Sequence, residues 1–241
     1  MYIIEQCVNM PLYKTKDCIQ YMNDGNIYRK KENIIIENML DIYVNKIKIK
    51  SINCTPKEMA MLVLGYLIST AYIKTADKIE SLIIDEEGKR AYVTLKEDFV
   101  QIENDLHKYI QRETIKISCE CAFNAINQFA KDELLYKFTH GTHSCLVIKE
   151  GKVEYVCEDI SRRNALDKAL GMLIYNKIDV SKCIIYISSR VQEDMVCKIV
   201  RCGIPILICK SVPTEAAISK AKENSICLLC KAKDKFYQIY S

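Results

Sequence analysis

Glycine, histidine and long apolar segments are all scarce in this sequence. Its 7 glycines in 241 residues form no glycine-rich loop that could cradle a phosphate. The longest uncharged run, residues 59–73, has 15 residues, which is too short to span a bilayer and predicts a buried helix. Residues 1–10 lack a basic stretch followed by an apolar core, so we expect no secretory signal, no membrane attachment and a cytoplasmic protein.

The zinc motif of the nucleobase deaminases is also missing. Those enzymes need His-x-Glu followed by Pro-Cys-x-x-Cys, but His143 is followed by Ser144 and Cys145, and no Pro-Cys-x-x-Cys occurs. Cys227 and Cys230 have the spacing of a zinc-ligand pair. Because they lie in an apolar predicted strand, where residues three apart point to opposite faces, we interpret them as core residues and predict no metal site.

Charged residues are present but dispersed. The net charge is +4, and 27% of residues are charged, with acidic and basic residues interleaved, so no block predicts binding to nucleic acid. The 13 cysteines, in a chain expected to be cytoplasmic, are predicted to be reduced thiols. Six of them lie in apolar runs and are expected to pack as small core residues: Cys145, Cys157, Cys183, Cys209, Cys227 and Cys230.

Hydrophobic periodicity predicts one α/β domain after an irregular N-terminal segment. Residues 1–33 are polar without a sustained period, so we predict little order there. Residues 34–241 are predicted to form a single domain, with hairpins and a helix over residues 34–112 and an α/β core over residues 113–241. Beyond residue 171, strands alternate with helices, which predicts parallel strands with right-handed connections.

A helix is predicted to start at residues 55–58. Thr55 would accept a hydrogen bond from the third helical amide, Pro56 suits the first helical position, and Glu58 would reach back to the Thr55 amide. The apolar positions that would form the buried face of this helix are Met59, Leu62, Val63, Tyr66 and Leu67.

Three hairpins are predicted, around residues 45–46, 87–88 and 150–151. The third joins apolar runs over residues 144–149 and 152–157 through Glu-Gly, and glycine tolerates the positive φ of a tight turn. A helix is predicted to follow from residue 164, because apolar residues recur there at helical spacing: Leu166, Ala169, Leu170, Leu173 and Ile174.

Basic residues lie next to the predicted start of this last helix. Arg162, Arg163 and Lys168 are close to unpaired backbone amides and to the positive end of the helix dipole, an environment that suits a phosphate or another anion. The alternative interpretation is a solvated helix cap with local ion pairs, since charged side chains are usually exposed.

Two segments carry a resemblance to a known family. Residues 158–168, Glu-Asp-Ile-Ser-Arg-Arg-Asn-Ala-Leu-Asp-Lys, closely resemble a signature of the formate dehydrogenase accessory sulfurtransferases, the FdhD family. Residues 138–143, Phe-Thr-His-Gly-Thr-His, resemble its second signature. The family usually has Gly at position 161, His at position 163 and Gly at position 140, where this chain has Ser161, Arg163 and His140. The resemblance implies a cytidine-deaminase-like three-layer α/β fold with an N-terminal β-rich elaboration, and a homodimer.

Cys119-Glu120-Cys121 lies where the family carries its sulfur-handling cysteines. The pair follows a short predicted strand and precedes a predicted helix, whose N-terminus would raise the thiolate fraction, while the charge of Glu120 opposes this effect. The family more often has Cys-x-x-Cys spacing. The resemblance implies that Cys119, with Cys121 as the second candidate, takes persulfide sulfur from a cysteine desulfurase.

The acceptor implied by the resemblance is the bis(molybdopterin guanine dinucleotide) cofactor of molybdenum or tungsten, needed by formate dehydrogenase. Its guanine nucleotides and pyrophosphates require cationic and backbone N–H partners. The loops that supply them are expected beyond the carboxyl ends of parallel strands. The cofactor-binding candidates are Thr142, His143, Arg162, Arg163, Asn164, Lys168, Ser189, Arg190, Cys230, Lys231, Ala232, Lys233, Asp234 and Lys235. For the last six, a lysine-rich surface hairpin is the alternative.

A second function remains open at this point. The differences at Ser161, Arg163 and His140, and the short spacing of the cysteine pair, also fit a divergent chaperone. Such a protein would bind the cofactor or the formate dehydrogenase apoenzyme without transferring sulfur. Replacing Cys119 and Cys121 with alanine separates the two hypotheses, because only a sulfur relay needs these thiols.

Overall fold

The computed structural model describes residues 3–6, 9–96, 118, 120, 122–124, 127, 134–233 and 236–241. Cys119, Cys121, Asp234 and Lys235 lie outside these ranges. The described strands are β1 (Ile3–Gln6), β2 (Tyr13–Tyr21), β3 (Ile27–Ile35), β4 (Asn38–Val44), β5 (Ile47–Cys54), β6 (Ile79–Ile84), β7 (Arg90–Leu95), β8 (His143–Lys149), β9 (Lys152–Asp159), β10 (Cys183–Ile187), β11 (Ile206–Cys209), β12 (Cys227–Lys233) and β13 (Phe236–Ile239). The described α-helices are α1 (Met59–Ser69), α2 (Leu134–Thr139), α3 (Arg162–Tyr175), α4 (Glu193–Arg201) and α5 (Glu215–Glu223).

The strands form two larger sheets and one separate hairpin, which gives a mixed α/β fold. The five-stranded sheet has the order β1-β6-β7-β4-β5, and the six-stranded sheet has the order β13-β12-β11-β10-β8-β9. In the six-stranded sheet β10, β11 and β12 run parallel, as predicted for this part of the chain, while β8 and β13 run antiparallel to their neighbours. The three predicted hairpins are confirmed as β4–β5, β6–β7 and β8–β9.

The prediction of little order over residues 1–33 is wrong. β2 and β3 pair over nine residues each, and Asp24 stabilises the turn by accepting a hydrogen bond from the Asn26 amide at 3.0 Å. Most side chains of this hairpin are exposed on both faces. Without one buried face the strands have no apolar alternation, and therefore no periodic signal in the sequence.

The two larger sheets are joined through a close crossing of α1 and α3. A Cβ atom on Gly65 would lie 1.8 Å from the carbonyl oxygen of Asp167, and one on Gly171 would lie 2.0 Å from that of Met61. Only glycine permits such backbone approach. This contact buries α3 on a second side and explains why polar residues near its start are also buried.

The predicted capping of α1 is wrong in its details. The helix begins at Met59, and Glu58 precedes it with a left-handed φ of 55°. Instead of capping this helix, Thr55 donates its hydroxyl and its backbone amide to the carboxylate of Asp159, at 3.1 and 3.0 Å. A hydrogen bond to a charged carboxylate is stronger than one between a hydroxyl and a neutral backbone amide. The contact with Asp159 therefore replaces the predicted helix cap.

The six cysteines predicted to be core residues are all buried. Burial raises the pKa of Cys145 and Cys157, and burial raises that of Cys54 to about 12. These thiols are therefore protonated near neutral pH and are poor nucleophiles. Among the described helices, none combines the length and apolar character that a membrane span requires.

Candidate functional site

Several of the predicted site residues that the structure describes lie at one edge of the six-stranded sheet. Strand register places His143 opposite Asp159, and Cys145 opposite Ile187, which in turn lies opposite Cys209. The start of β8 therefore lies beside the carboxyl ends of β9, β10 and β11. The loops that carry the two signature segments and the segments after β10 and β11 emerge together, as the parallel-strand argument predicted.

A cleft of about 420 Å³ opens at this edge. Its lining combines aromatic rings, hydroxyls, a glycine backbone and a lysine: Tyr136, His140, Gly141, Thr142, His143, Ser188 and Lys210. His140 has a φ of 51° and packs edge-on against Tyr136, with ring centroids 5.4 Å apart. The left-handed φ suits the glycine that the family usually has at this position.

His143 is half-buried at the mouth of β8. Burial and the nearby Arg162 guanidinium lower the pKa of His143 below its ordinary value of 6.5, and the Asp159 carboxylate opposes them. The imidazole is therefore neutral near pH 7. A neutral imidazole can donate one hydrogen bond and accept another.

Glu158 anchors the segment that leads into the cleft. Its carboxylate accepts hydrogen bonds from the backbone amides of Leu135 and Tyr136, each at 2.8 Å, and from the Thr142 hydroxyl at 3.3 Å. These amides lie in the first described turn of α2, so the carboxylate ties this helix to the end of β9. Thr142 is thus buried and bound internally, and its side chain positions the cleft wall.

Asp159 and Lys168 form a buried ion pair at the centre of the molecule. Both side chains are 0% exposed, and the Lys168 ammonium lies 2.7 Å from Asp159 Oδ2. The same ammonium donates to the Thr55 hydroxyl at 2.6 Å and to the Glu158 carbonyl at 3.1 Å. Asn164 is bound in the same network, donating to Asp159 Oδ1 and to the backbone carbonyl at position 53. The structure thus gives Lys168 and Asn164 protein partners, and neither residue lines the 420 Å³ cleft.

A second buried pair links α3 to α4. Asp167 accepts hydrogen bonds from Lys198 and from the Ser69 hydroxyl, the latter at 2.7 Å. Burial raises the pKa of Asp167, and the ammonium of Lys198 opposes that shift. These contacts fix the orientation of α3 against its neighbours.

Arg162 and Arg163 begin α3 and are its accessible cations. Arg162 donates to Gln192 Oε1 at 2.5 Å, and Arg163 donates to the same oxygen at 3.0 Å. Arg163 also pairs with Asp194. The helix N-cap, Ser161, makes no side-chain cap hydrogen bond, so the first-turn amides add to the positive character of this end.

A larger cleft of about 720 Å³ lies between β5, α1, α3 and α4. Arg163 and Asn164 are the predicted cofactor-binding residues on its wall. Its other charged residues carry both signs: Lys50, Asp167, Glu193, Asp194, Lys198 and Arg201.

The remaining predicted residues differ in their access to solvent. Ser189 is buried and donates to the Arg190 carbonyl at 3.2 Å, whereas the Arg190 side chain is exposed. Cys230 and Ala232 are buried in the sheet. Lys231 and Lys233, in the same strand β12, are accessible. Lys231 has a φ of 51°, and its amide donates to the Ser211 carbonyl. The Lys233 ammonium lies 5.7 Å from the centroid of the Phe236 ring.

Sequence reasoning missed two residues that shape this edge. Gln192 immediately precedes α4 and joins two arginines from α3, and Tyr136 lines the smaller cleft. Neither carries a motif, since the role of each comes from contact with residues distant in sequence. The Glu158 side chain belonged to the recognised signature, but its three acceptor contacts appear only in the fold.

Nearly the whole chain aligns with known proteins. It is 26% identical to the sulfur carrier protein FdhD of Bacillus pumilus, over 96% of this chain and 97% of that protein. It is 28% identical to protein FdhD of Methanocaldococcus jannaschii, over 92% and 94%. The crystal structure of a candidate formate dehydrogenase accessory protein from Desulfotalea psychrophila matches the fold with a TM-score of 0.84 at 22% identity, covering 96% of this chain and 97% of that chain. The sequence profile of the FdhD/NarQ family matches residues 35–241, and the chain therefore belongs to that family.

Proposed function

We propose that this protein is a sulfur carrier. In this proposal it takes persulfide sulfur from a cysteine desulfurase and delivers it to the bis(molybdopterin guanine dinucleotide) cofactor of formate dehydrogenase. The observation that carries the proposal is the meeting of the two signature segments, residues 138–143 and 158–168, at one cleft-bearing edge of the sheet. Relatives that align along nearly the whole chain and bear the name sulfur carrier protein support it.

The sulfur-accepting group in the proposal is the thiolate of Cys119, with Cys121 as the second candidate. The thiolate attacks the outer sulfur of the desulfurase persulfide, a new sulfur–sulfur bond forms on Cys119, and the desulfurase cysteine leaves as a thiolate. Among the described neighbours of this pair, Ser118 and Glu120 are exposed, while Ala122 is buried against the six-stranded sheet.

The cofactor that accepts the sulfur is a substrate in this proposal. The cleft-bearing edge of the six-stranded sheet suits its guanine nucleotide end. Lys210 lines the cleft, and Arg162 lies close enough to the cleft residue His143 to affect its charge. Arg190 is exposed on the segment after β10, and neutral His143 and the Gly141 backbone supply hydrogen-bonding groups. Anionic groups are held by such cations and by helix N-termini. When the outer sulfur leaves Cys119, the thiolate is regenerated, and the reduced metal centre supplies the two electrons that convert the sulfur to sulfide.

Peptide mass spectrometry tests the relay. The protein is incubated with an active cysteine desulfurase and free cysteine, then alkylated and digested. We expect a gain of one sulfur atom on the peptide that holds Cys119 and Cys121, and loss of that gain in the variant with both cysteines replaced by alanine. Cys18→Ala, on the β2–β3 hairpin, is the matched control and should retain the gain.

A negative result has a defined meaning. If the peptide gains no sulfur from a desulfurase shown to be active, the sulfur relay is rejected, and the non-transferring chaperone becomes the better hypothesis. The chaperone also predicts that the double alanine variant still supports formate dehydrogenase maturation. A homodimer and a cytoplasmic location stay predictions, and light scattering of the purified protein checks the first.

A further inference from the structure

Gln192 is the point at which two cations of the sheet edge converge. Its side-chain oxygen accepts one hydrogen bond from Nη2 of Arg162 and another from Nη2 of Arg163, at 2.5 and 3.0 Å. Like charges repel, so an acceptor shared by two guanidinium groups offsets part of the cost of holding them side by side. One neutral oxygen at the start of α4 therefore holds Arg162 beside Arg163, which Asp194 also binds.

The charge of Arg162 is not cancelled at this meeting point. Arg163 forms an ion pair with Asp194, whereas Arg162 forms no ion pair within the described ranges of the chain. The Nε atom of Arg162 is buried and has no hydrogen-bond acceptor among the residues that the structure describes. A buried donor without an acceptor is energetically costly, so an anion that contacted this group would meet no internal competitor.

We propose that Gln192 is a positioning residue for anion binding: its neutral carboxamide gathers Arg162 and Arg163 at the N-terminus of α3 and leaves the charge of Arg162 uncancelled. This inference rests on the proposed function, in which the guanine nucleotide end of the acceptor binds at this edge. A glutamate would accept the same hydrogen bonds more strongly, but its charge would pair with Arg162 and withdraw that cation from the ligand. The isosteric variant Gln192→Glu therefore keeps the hydrogen bonds that align the two arginines and changes only the charge beside Arg162.

His143 reports the position of Arg162 in the absence of any ligand. Two charged groups face its imidazole, Arg162 from α3 and Asp159 from β9, and burial also acts on it. If Gln192 holds Arg162 in place, releasing Arg162 or neutralising it with a glutamate must raise the pKa of His143. Proton-detected titration of the imidazole measures this directly.

Gln192→Glu and Gln192→Ala provide the test, with GDP as the probe. Titration calorimetry should show at least about tenfold weaker GDP binding for both variants, the loss expected when a charge-assisted contact is removed. Gln192→Glu should unfold at the same temperature as the unaltered protein or at a higher one. Gln20→Glu, on the exposed β2–β3 hairpin, makes the same chemical change away from the arginines and should leave GDP binding unchanged.

The outcomes distinguish this inference from the proposed function. Unchanged GDP affinity in both Gln192 variants overturns the positioning role. If the contact were merely structural, Gln192→Glu would keep the hydrogen bonds to the arginines and GDP binding would not change. If the unaltered protein fails to bind GDP, the nucleotide part of the proposed function is rejected. The His143 titration then decides alone: a raised pKa in both variants supports the positioning of Arg162, and an unchanged pKa in both refutes it.

Discussion

The signature over residues 158–168 contains two sets of charged side chains with opposite fates. Asp159 and Lys168 are wholly buried and bind each other, whereas the Arg163 side chain is 46% exposed and Arg162 is partly exposed near the cleft residue His143. Both sets are equally polar in the sequence. Their difference comes from packing geometry. Asp159 ends β9, and successive residues of α3 face different neighbours, so that the residues facing α1 are removed from water.

This contrast shows that some charged residues of one motif stabilise the fold while others present charge at the surface. The buried set holds β9, α1 and α3 in fixed positions, and the accessible set presents charge at a defined edge. A family signature therefore does not identify binding residues one by one. The tests below probe this division, beginning with the change expected to have the largest effect.

Breaking the buried pair should have the largest effect. Lys168→Met leaves the Asp159 carboxylate buried without its cation, and removing one partner of a buried pair typically costs about 3–5 kcal/mol. Arg163→Met, in the accessible set, should cost less than about 1 kcal/mol. Urea denaturation measures both free energies of unfolding, and equal losses would contradict the division of the signature.

The close crossing of α1 and α3 should tolerate substitution almost as poorly. Gly171→Ala places a methyl group where a Cβ would lie 2.0 Å from the Met61 carbonyl oxygen. Overpacking of this kind costs about 1–3 kcal/mol, since the helices must move apart. Gly25→Ala, at a turn where a Cβ meets nothing within 4 Å, separates this clash from general glycine effects, although its φ of 88° brings some backbone strain. A smaller loss for Gly171→Ala than for Gly25→Ala would count against the crossing.

Removing an accessible charge should weaken binding and leave stability nearly unchanged. Arg162→Gln is expected to weaken GDP binding at least about tenfold, the effect of losing a charge-assisted contact. The free energy of unfolding should change by less than about 1 kcal/mol, because Arg162 forms no described ion pair. Calorimetry and urea denaturation of the same preparation provide the two readouts. A large stability loss with unchanged affinity would place Arg162 in the buried set.

The smallest expected effect is the pH dependence due to His143. Its folded-state pKa is lowered from 6.5 by burial and then by Arg162. The unfolded chain therefore binds the proton more tightly, so this residue contributes stability above pH 6.5 that is lost as the pH falls towards the folded-state pKa. NMR titration should give a His143 pKa below 6.5, and Arg162→Gln should raise it. A value above 6.5 in the unaltered protein would contradict this account.

Much of the fold near the candidate site was predictable. The apolar spacing from Leu166 to Leu173 predicted α3, and the Glu-Gly turn at residues 150–151 predicted the β8–β9 hairpin. These elements have one face in the core, so their apolar residues recur at a regular spacing that the sequence shows. The β2–β3 hairpin escaped prediction because it has no buried face.

The partners of polar side chains could not be predicted in the same way. Thr55 has the local signals of a helix cap, yet Asp159 binds it from 104 positions away in the sequence. Gln192 carries no recognisable signal, because its two arginine contacts span 29 and 30 positions. Such pairings depend on how elements pack, and local sequence does not encode that packing directly.

The sequence by itself determined the family, the order of most strands and helices beyond residue 34, and the burial of six cysteines. Each of these depends on motifs or on local apolar patterns. Only the tertiary structure decided that Lys168 and Asn164 serve the core and that Arg162 remains available at the edge. The physical reason is that a charged side chain is stable either in water or beside a buried partner, and only the packing of α3 against α1 and α4 fixes which applies.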